Sequence, residues 1–246
     1  GKNYRTTSDV VLVIDCSGSM EGTKLTNTRK AAKAFGEKLL VEGSATRIAI
    51  VTYVDTATAY NNGHFYTADE LDAFKTAVDN ATYANGGTNQ QAGIHTAQEL
   101  LNQSTAGLKN IVILSDGEPT YSHPFIEQDI YYGNCSNWWH TDTGKAQNKG
   151  DYTNWGKKTN TEVYDAYHPM YDVIIGNGSN FNITNGWMYY EQYHHCKHGY
   201  YNFDGATSDL TLDKDGNLTP IQSGGNNGTP TIWEANQAKA AGTTIY

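Results

Sequence analysis

Unbroken apolar runs alternate along the first half of this chain with segments in which apolar residues recur at helical spacing. Residues 10–14 and 111–114 are runs of branched apolar side chains, a pattern typical of parallel strands that are buried on both faces. After the first run, apolar side chains recur at Leu25, Ala32, Phe35 and Leu39. This spacing predicts an amphipathic helix between two buried strands.

The same patterns predict the order of elements in residues 1–119. They are a strand at 10–15, a helix at 24–40, a strand at 47–54, a short hairpin arm at 58–66, helices at 68–81 and 89–103, and a strand at 109–115. Strands and helices that alternate with short connections predict an α/β fold with a doubly wound, mostly parallel sheet. Core patterning resumes only near residue 230, with a predicted helix at 232–241, a stop at Gly242 and the start of a strand at 243–246.

Residues 120–229 have no sustained helical period and are rich in Tyr, Trp, Asn and Gly. We therefore divide the chain into a first core part (1–119), an inserted arm (120–229) and a core continuation (230–246). A segment of this length exceeds ordinary loops and is expected to be functional or to carry its own structure. We expect an irregular or β-rich arm, with a hairpin between strands at 210–212 and 218–219.

The arm contains many aromatic side chains with polar tips, which are residue types that favour surface recognition. An alternative that the sequence leaves equally open is that these aromatics pack the interior of a small subdomain. The candidates for ligand binding are Trp138, Trp139, Trp187, Tyr189 and Tyr190.

Three separated loops carry oxygen-bearing side chains. Two of them, Asp-Cys-Ser-Gly-Ser at 15–19 and Ser-Asp-Gly-Glu at 115–118, follow apolar runs, and Gly-Gly-Thr-Asn stands at 86–89. Loops at the carboxyl ends of strands are where open α/β sheets bind ligands. Each loop alone is also a common turn, but together they predict one metal centre with the donors Asp15, Ser17, Ser19, Thr88 and Asp116.

The donor set defines the kind of ion. Carboxylates and hydroxyls offer only oxygen, which suits Mg²⁺, or Mn²⁺ or Ca²⁺ in the same site, better than zinc. Because most donors are neutral hydroxyls, we expect the ion to attract a carboxylate from outside and to keep a coordination position open for it.

The motifs Asp-x-Ser-x-Ser, Gly-Gly-Thr and Ser-Asp-Gly, in this order, resemble the von Willebrand factor A (VWA) domain and its metal-ion-dependent adhesion site. The resemblance implies a Rossmann-like fold in which Ser17 and Ser19 contact the ion directly. It implies that Thr88 binds directly or through water, and Asp15 and Asp116 largely through water. A further helix, strand and closing helix follow in that family, so we expect the C-terminal part of the sheet to be missing from this chain, either truncated or supplied by another segment.

A long Asn-, Gly- and Tyr-rich insertion after the third metal-site loop further resembles the VWA domains of Gram-positive pilus tip adhesins. This resemblance implies a secreted domain of a longer pilus subunit, at the pilus tip or cell wall, with a role in adhesion and virulence. The implied partner is a host extracellular matrix or cell-surface protein, and recognition of glycan by the arm stays open. No enzymatic activity is expected.

The cysteines fall in two settings. Cys16 occupies the variable position of the first motif and is expected to be a small buried hydrophobe. Cys135 and Cys196 both lie in the arm, and in an exported chain a pair spanning a long segment favours a disulfide. The alternative is a zinc site with hydrolysis by zinc-bound water, formed by His194, His195, Cys196 and His198 with Cys135 or His140.

Composition and the absence of certain motifs exclude several classes of function. The 246 residues have a formal net charge of −9, without the basic stripe that binding of nucleic acid requires. No apolar run is long enough to cross a membrane, and no phosphate-binding Gly-x-x-x-x-Gly-Lys-Ser/Thr motif occurs. A triad of Ser17, His95 and Asp116 can be written, but no nucleophile elbow supports it. An accessory domain of a metal-dependent enzyme assembly stays open as a second hypothesis.

Overall fold

A computed structural model of the chain contains two compact units. It describes residues 6–123, 131–133, 169, 171, 174, 187–192, 197–202, 210–212, 218–220 and 227–246. One unit comprises Gly1–Gly117 and Trp233–Tyr246, and the other comprises Glu118–Ile232. The five predicted metal-site residues all belong to the first unit.

The described strands and helices follow the predicted order. In chain order they are β1 (Ser8–Asp15), α1 (Thr23–Leu39), β2 (Thr46–Tyr53), β3 (Ala57–Ala59), α2 (Leu71–Ala81), α3 (Gln90–Asn102), β4 (Leu108–Leu114), β5 (Tyr131–Gly133), β6 (Trp187–Gln192), β7 (Lys197–Asn202), β8 (Leu210–Leu212), β9 (Leu218–Pro220), α4 (Gly228–Ala240) and β10 (Thr244–Ile245). Every strand and helix predicted for the core is present, with small shifts at the ends.

The first unit is built on a mostly parallel sheet, which confirms the predicted α/β class. Its strand order is β10-β4-β1-β2-β3. The central strand β1 pairs in parallel with β2 and β4, and β10 pairs in parallel with β4. Only β3 is antiparallel in this sheet. Because the chain passes from β1 to β2 on one side and later to β4 on the other, a crevice forms at the carboxyl end of β1.

Two apolar layers cover the faces of the sheet. Successive side chains of a strand point to opposite faces, so Leu12 of β1 belongs to a cluster with Phe74 of α2. Its neighbour Val13 belongs to a second cluster with Ile94 of α3 and Ala238 of α4. Burial on both faces explains why β1 lacks polar alternation, and it makes the strand a rigid support for the loop that follows Asp15.

Three boundaries differ from the prediction for local reasons. The predicted helix at 68–81 begins with a 3-10 turn, Ala68–Glu70, which is capped by reciprocal bonds between Thr67 and Glu70. The predicted hairpin arm at 58–66 instead folds back on β2, through β3 and a bridge between Ile48 and Tyr66. The helix predicted at 232–241 begins earlier, at Gly228, with proline tolerated in its first turn.

The second unit contains short antiparallel sheets in its described residues. One has the order β5-β7-β6, and β8 pairs with β9 in the other. The pairing of β8 with β9 confirms the predicted hairpin strands. No described helix in either unit is long and apolar enough to cross a membrane.

Candidate metal centre

The first and third loops meet at one edge of the sheet. Asp15 is the last residue of β1, and Asp116 follows the end of β4. These strands are parallel neighbours in register, with Ile14 opposite Leu114, so their carboxyl ends lie side by side. A hydrogen bond from the Ser115 hydroxyl to Asp15 joins the two loops across 100 residues of sequence.

A chain of hydrogen bonds links the serines of the first loop to Asp116. The Ser17 and Ser19 hydroxyl oxygens are 3.0 Å apart, and the Ser19 hydroxyl donates to Oδ1 of Asp116 at 3.1 Å. Ser17 is buried, whereas the Asp116 side chain is 16% exposed. The oxygens of both loops thus form one cluster that extends from the sheet edge toward solvent.

The Asp15 carboxylate supports this cluster through hydrogen bonds to both loops. Its Oδ1 accepts the backbone N–H of Ser17 at 2.9 Å, and its Oδ2 accepts the Ser115 hydroxyl at 2.8 Å. Asp15 is fully buried, and a buried carboxylate requires such partners because it has lost its hydration. Its two oxygens therefore hold the first and third loops in a fixed relation. Ser115 was not among the predicted site residues.

The second loop is joined to the first through the backbone. The N–H of Gly18 donates to the carbonyl of Gly86 at 3.0 Å, and the N–H of Asn85 donates to the carbonyl of Cys16 at 2.8 Å. Thr88, two residues after Gly86, is buried. The first loop consequently contacts both the second and the third, and these three loops carry all five predicted donors.

Asp55, which the sequence analysis missed, positions the second loop. Its carboxylate accepts the backbone N–H of Gly87, and its carbonyl accepts the side-chain amide of Asn89 at 3.0 Å. Gly86 has a φ of +72° and its absent Cβ would lie 3.0 Å from Oδ1 of Asp55, which explains glycine at this position. The signal in the sequence was the acidic residue just after β2, a third strand end at the same edge.

Asn89 connects the second loop to a helix. Its side-chain oxygen accepts the N–H of Ala92 at 3.0 Å and caps the start of α3. Its own N–H donates to the carbonyl of Val54 at 2.8 Å. Thr88 is thereby held between a fixed glycine turn and a capped helix.

The donor set of this cluster suits a hard divalent ion. Carboxylate and hydroxyl oxygens are typical ligands of Mg²⁺, Mn²⁺ and Ca²⁺. The hydroxyl oxygens of Ser17 and Ser19 are 3.0 Å apart, and that of Ser19 is 3.1 Å from Oδ1 of Asp116, so oxygens from the first and third loops are already gathered at one place. The residues present therefore fit Mg²⁺, or Mn²⁺ or Ca²⁺ in the same site.

Charges around the cluster shift the ionisation of nearby groups. The Lys24 ammonium, 2.5 Å from Oδ2 of Asp116, is the main cause of a lowered pKa of that carboxyl, and the Ser19 hydroxyl adds to it. Burial, followed by the charge of Asp15, raises the pKa of the Tyr53 phenol. The Tyr53 hydroxyl is buried close to the side chains of Ser115 and Asp15. Asp116 therefore stays ionised, and Tyr53 stays neutral.

The other predicted candidates are separate from this cluster or fall outside the described residues. The part of the chain that the structure describes holds no group of three or more His, Cys, Asp or Glu side chains that could bind an ion; the candidate centre differs because most of its donors are hydroxyls. His95 bonds Glu234 at 2.9 Å, and the Ser17 hydroxyl bonds Ser19, so the triad with Asp116 gains no support.

The predicted arm residues are described only in part. Trp187, Tyr189 and Tyr190 lie in β6, opposite Asn202, Tyr200 and Gly199 of β7. His198 lies in β7. The predicted disulfide, most of the alternative zinc ligands and two tryptophans lie outside the described residues, namely Cys135, Trp138, Trp139, His140, His194, His195 and Cys196.

Comparison with known proteins places the chain in a family. Residues 9–130 match the family model of the von Willebrand factor type A domain. The minor fimbrium subunit Mfa5 of Porphyromonas gingivalis is 34% identical over 122 residues, which is 47% of this chain and 10% of that protein. The chain thus spans about a tenth of the length of this curated relative.

Solved structures of the same fold align with nearly the whole length of the chain. The VWF domain of the type V pili tip protein Mfa5 aligns with a TM-score of 0.55 and 22% identity, covering 98% of this chain and 80% of that one. The pilus adhesin SpaC from Lactobacillus rhamnosus GG aligns with a TM-score of 0.56 and 17% identity, covering 99% of this chain and 24% of that one. The adhesive tip pilin GBS104 from Group B Streptococcus agalactiae aligns with a TM-score of 0.51 and 17% identity, covering 98% of this chain and 86% of that one.

The family model and the doubly wound sheet agree. The chain contains a von Willebrand factor type A domain, and the matched residues 9–130 include every predicted metal ligand. The predicted family and its Rossmann-like fold are confirmed.

Proposed function

We propose that this domain is the binding module of a surface adhesin. A divalent metal, Mg²⁺, or Mn²⁺ or Ca²⁺ in the same site, would be held by Asp15, Ser17, Ser19, Thr88 and Asp116 and would capture a Glu or Asp carboxylate of a host matrix or cell-surface protein. The observation that carries the proposal is the cluster that oxygens of the first and third loops form at one edge of the sheet, with the second loop joined to the first by backbone hydrogen bonds. Other observations indicate where such a module would act.

The relatives support a location on the cell surface. They are a pili tip protein, a pilus adhesin and an adhesive tip pilin, and the matched part is a small fraction of the curated relative. We therefore propose that this domain is part of a longer pilus subunit at the pilus tip or cell wall. A role in virulence follows only if the partner belongs to a host.

The chain's own residues would divide the work of binding. The hydroxyls of Ser17 and Ser19 would contact the ion, while the buried Asp15 keeps their loop in place through the N–H of Ser17. Asp116 would balance part of the charge from the rim. When bound, the ion supplies a Lewis acid that attracts a carboxylate.

We propose that the aromatic arm adds contact area and selectivity. Tyr and Trp supply large, rigid surfaces with polar tips, and Trp187, Tyr189 and Tyr190 are contributed by one strand. Replacing Trp138, Trp139 and Trp187 with Ala should weaken partner binding without changing the affinity for Mg²⁺. An equal loss of both would assign these residues to folding.

The metal itself is tested by calorimetric titration of Mg²⁺ and Mn²⁺ into the wild-type chain, the Asp116→Ala variant and the Asp79→Ala variant. Asp79 is a matched control because it pairs with a lysine of α1, Lys33, at 2.6 Å, as Asp116 pairs with Lys24. We expect the wild type and Asp79→Ala to bind alike, and Asp116→Ala to bind at least roughly tenfold more weakly, by loss of a charged ligand. Equal binding by all three proteins would reject the centre.

Partner binding is tested on a panel of immobilised matrix proteins, in Mg²⁺ and in chelator. Binding that is lost both in chelator and in Asp116→Ala, but kept in Asp79→Ala, would establish metal-centred adhesion. Binding that survives both treatments would move recognition to the arm.

A further inference from the structure

Lys24 holds the outer oxygen of Asp116. It extends from the first turn of α1, and its Nζ lies 2.5 Å from Oδ2 of Asp116, while Oδ1 accepts the Ser19 hydroxyl at 3.1 Å. The carboxylate is therefore bonded on one side by the hydroxyl cluster and on the other by a cation. No part of the metal-site motifs includes this lysine.

We propose that Lys24 is a tethered cation that competes with the metal for Asp116 and limits the affinity of the centre. This inference rests on the proposed metal site. Only two of the five donors are carboxylates, and the ammonium neutralises one of them. A divalent ion must either displace Lys24 or bind beside a like charge, and both weaken its binding.

The environment of the pair distinguishes it from other lysine pairs in this unit. The Asp116 side chain is 16% exposed, whereas Asp79, paired with Lys33, is 49% exposed. Screening by water is weaker around the more sheltered carboxylate, so a charge at this place has a larger effect.

Lys24 is also able to move away when an ion arrives. Its side chain is 58% exposed, and lysine is a hydrated charge on a flexible stem. Leaving Asp116 returns the ammonium to water without uncovering a buried surface. Lys24 would thus neutralise the cluster in the metal-free state and yield to the ion in the bound state.

The test is calorimetric titration of Mg²⁺ and of Mn²⁺ alone into four proteins: wild type, Lys24→Met, Lys24→Arg and Lys33→Met. Met keeps an unbranched stem and removes the charge. We expect Lys24→Met to bind both ions roughly three- to tenfold more tightly, in line with one nearby unit charge at an intermediate dielectric constant. Lys24→Arg, which keeps the charge and can bond a carboxylate through two N–H groups, should bind the ions no more tightly than the wild type. Lys33→Met, which removes a different pair from the same helix, should match the wild type.

A second measurement distinguishes the effect of the Lys24 charge from that of the shape of its side chain. The ratio of the affinities of Lys24→Met and wild type should shrink toward one as NaCl is raised, because salt screens the repulsion. The rise in melting temperature on adding Mg²⁺ should be larger in Lys24→Met than in the wild type. Thermal unfolding in chelator checks that each variant folds, and Lys24→Gln replaces Lys24→Met if it does not.

The possible outcomes distinguish failure of the Lys24 inference from failure of the proposed metal site. A wild type that binds metal and a Lys24→Met variant that binds equally or more weakly would overturn this inference and leave the metal site standing. Absence of metal binding in every protein would reject both the site and the competition. Metal binding by Lys24→Met but not by the wild type would be the strongest support.

Discussion

Asp15 and Asp116 carry the same group in different environments, and this difference assigns their roles. Asp15 is fully buried, with both oxygens bonded to protein donors. Asp116 lies at the rim and shares its charge with Lys24. Loss of Asp15 would disturb the loops themselves, whereas loss of Asp116 would change mainly the charge that an incoming ion meets. At the scale of the residue, the carboxylate of Asp15 holds the loops in place, whereas that of Asp116 sets the charge that an ion meets.

The cysteines give a test at the residue scale. Cys16 is 2% exposed, and burial is the main cause of the raised pKa of its thiol, so it should not react with Ellman's reagent in the native chain. If Cys135 and Cys196 form the proposed disulfide, unfolding without reductant should release about one reactive thiol per chain, and unfolding with reductant about three.

The Cys16→Ala variant is the control for that count. Without reductant its thiol count in denaturant should fall to about zero. Three thiols without reductant would contradict the disulfide, and rapid labelling of the native wild type would contradict the burial of Cys16.

Elements are joined by polar contacts at both ends of the core. At the end opposite the metal centre, the buried Asp9 of β1 accepts two bonds from Arg47 of β2, at 2.8 and 2.6 Å, and one from Ser104 at 2.6 Å. Elsewhere, Glu234 of α4 bonds His95 of α3 at 2.9 Å. Because α3 begins just after Thr88, this contact links the last helix to the element that carries the second metal loop.

The Asp9–Arg47 pair predicts a stability difference at the element scale. Arg47→Met would leave a carboxylate that is 1% exposed with Ser104 as its remaining bonded partner, and should lower the free energy of unfolding by about 2–4 kcal/mol. Lys33→Met breaks a pair of the same 2.6 Å length between partly exposed side chains and should cost less than about 1 kcal/mol. Urea unfolding measures both, and equal costs would contradict the role given to burial.

The whole molecule is acidic, with a formal net charge of −9, and its stability should depend on a few ionised carboxyls. In the described residues the pKa is lowered at Asp116, chiefly by Lys24, and at Glu70, chiefly by the hydrogen bond from His64. A carboxyl with a lower pKa in the folded state binds fewer protons there than in the unfolded state. Such a group stabilises the fold above its ordinary pKa, and the stabilisation is lost as the pH falls through the folded-state value.

This predicts an acid-dependent loss of stability for the whole domain. In chelator, the free energy of unfolding should be constant with respect to these two groups above their ordinary pKa values of 3.8 and 4.5, and should fall below them. The Asp116→Asn, Glu70→Gln double variant should show a shallower fall. Urea unfolding between about pH 3 and 7 measures the slopes, and parallel curves for the two proteins would remove these carboxyls from the explanation.

Much of the fold was predictable because burial leaves a local pattern. The continuous apolar run of β1 and the helical period of α1 each reflect the surfaces against which they pack. The predicted hairpin arm at 58–66 differs from the structure, in which Asn61 and Asn62 adopt positive φ values of 49° and 52°. Asparagine tolerates this conformation without requiring it, so the sequence did not specify the turn.

The α/β class and the order of the core elements could be predicted from the chain because burial imposes a local period, and the five candidate metal ligands because each lies within a short motif. The groups that surround those motifs could be identified only in the folded chain. Lys24 meets Asp116 across 92 residues and Asp55 meets Gly87 across 32. Such contacts have no period and no fixed spacing, since they depend on how β1, β2 and β4 align at one edge of the sheet.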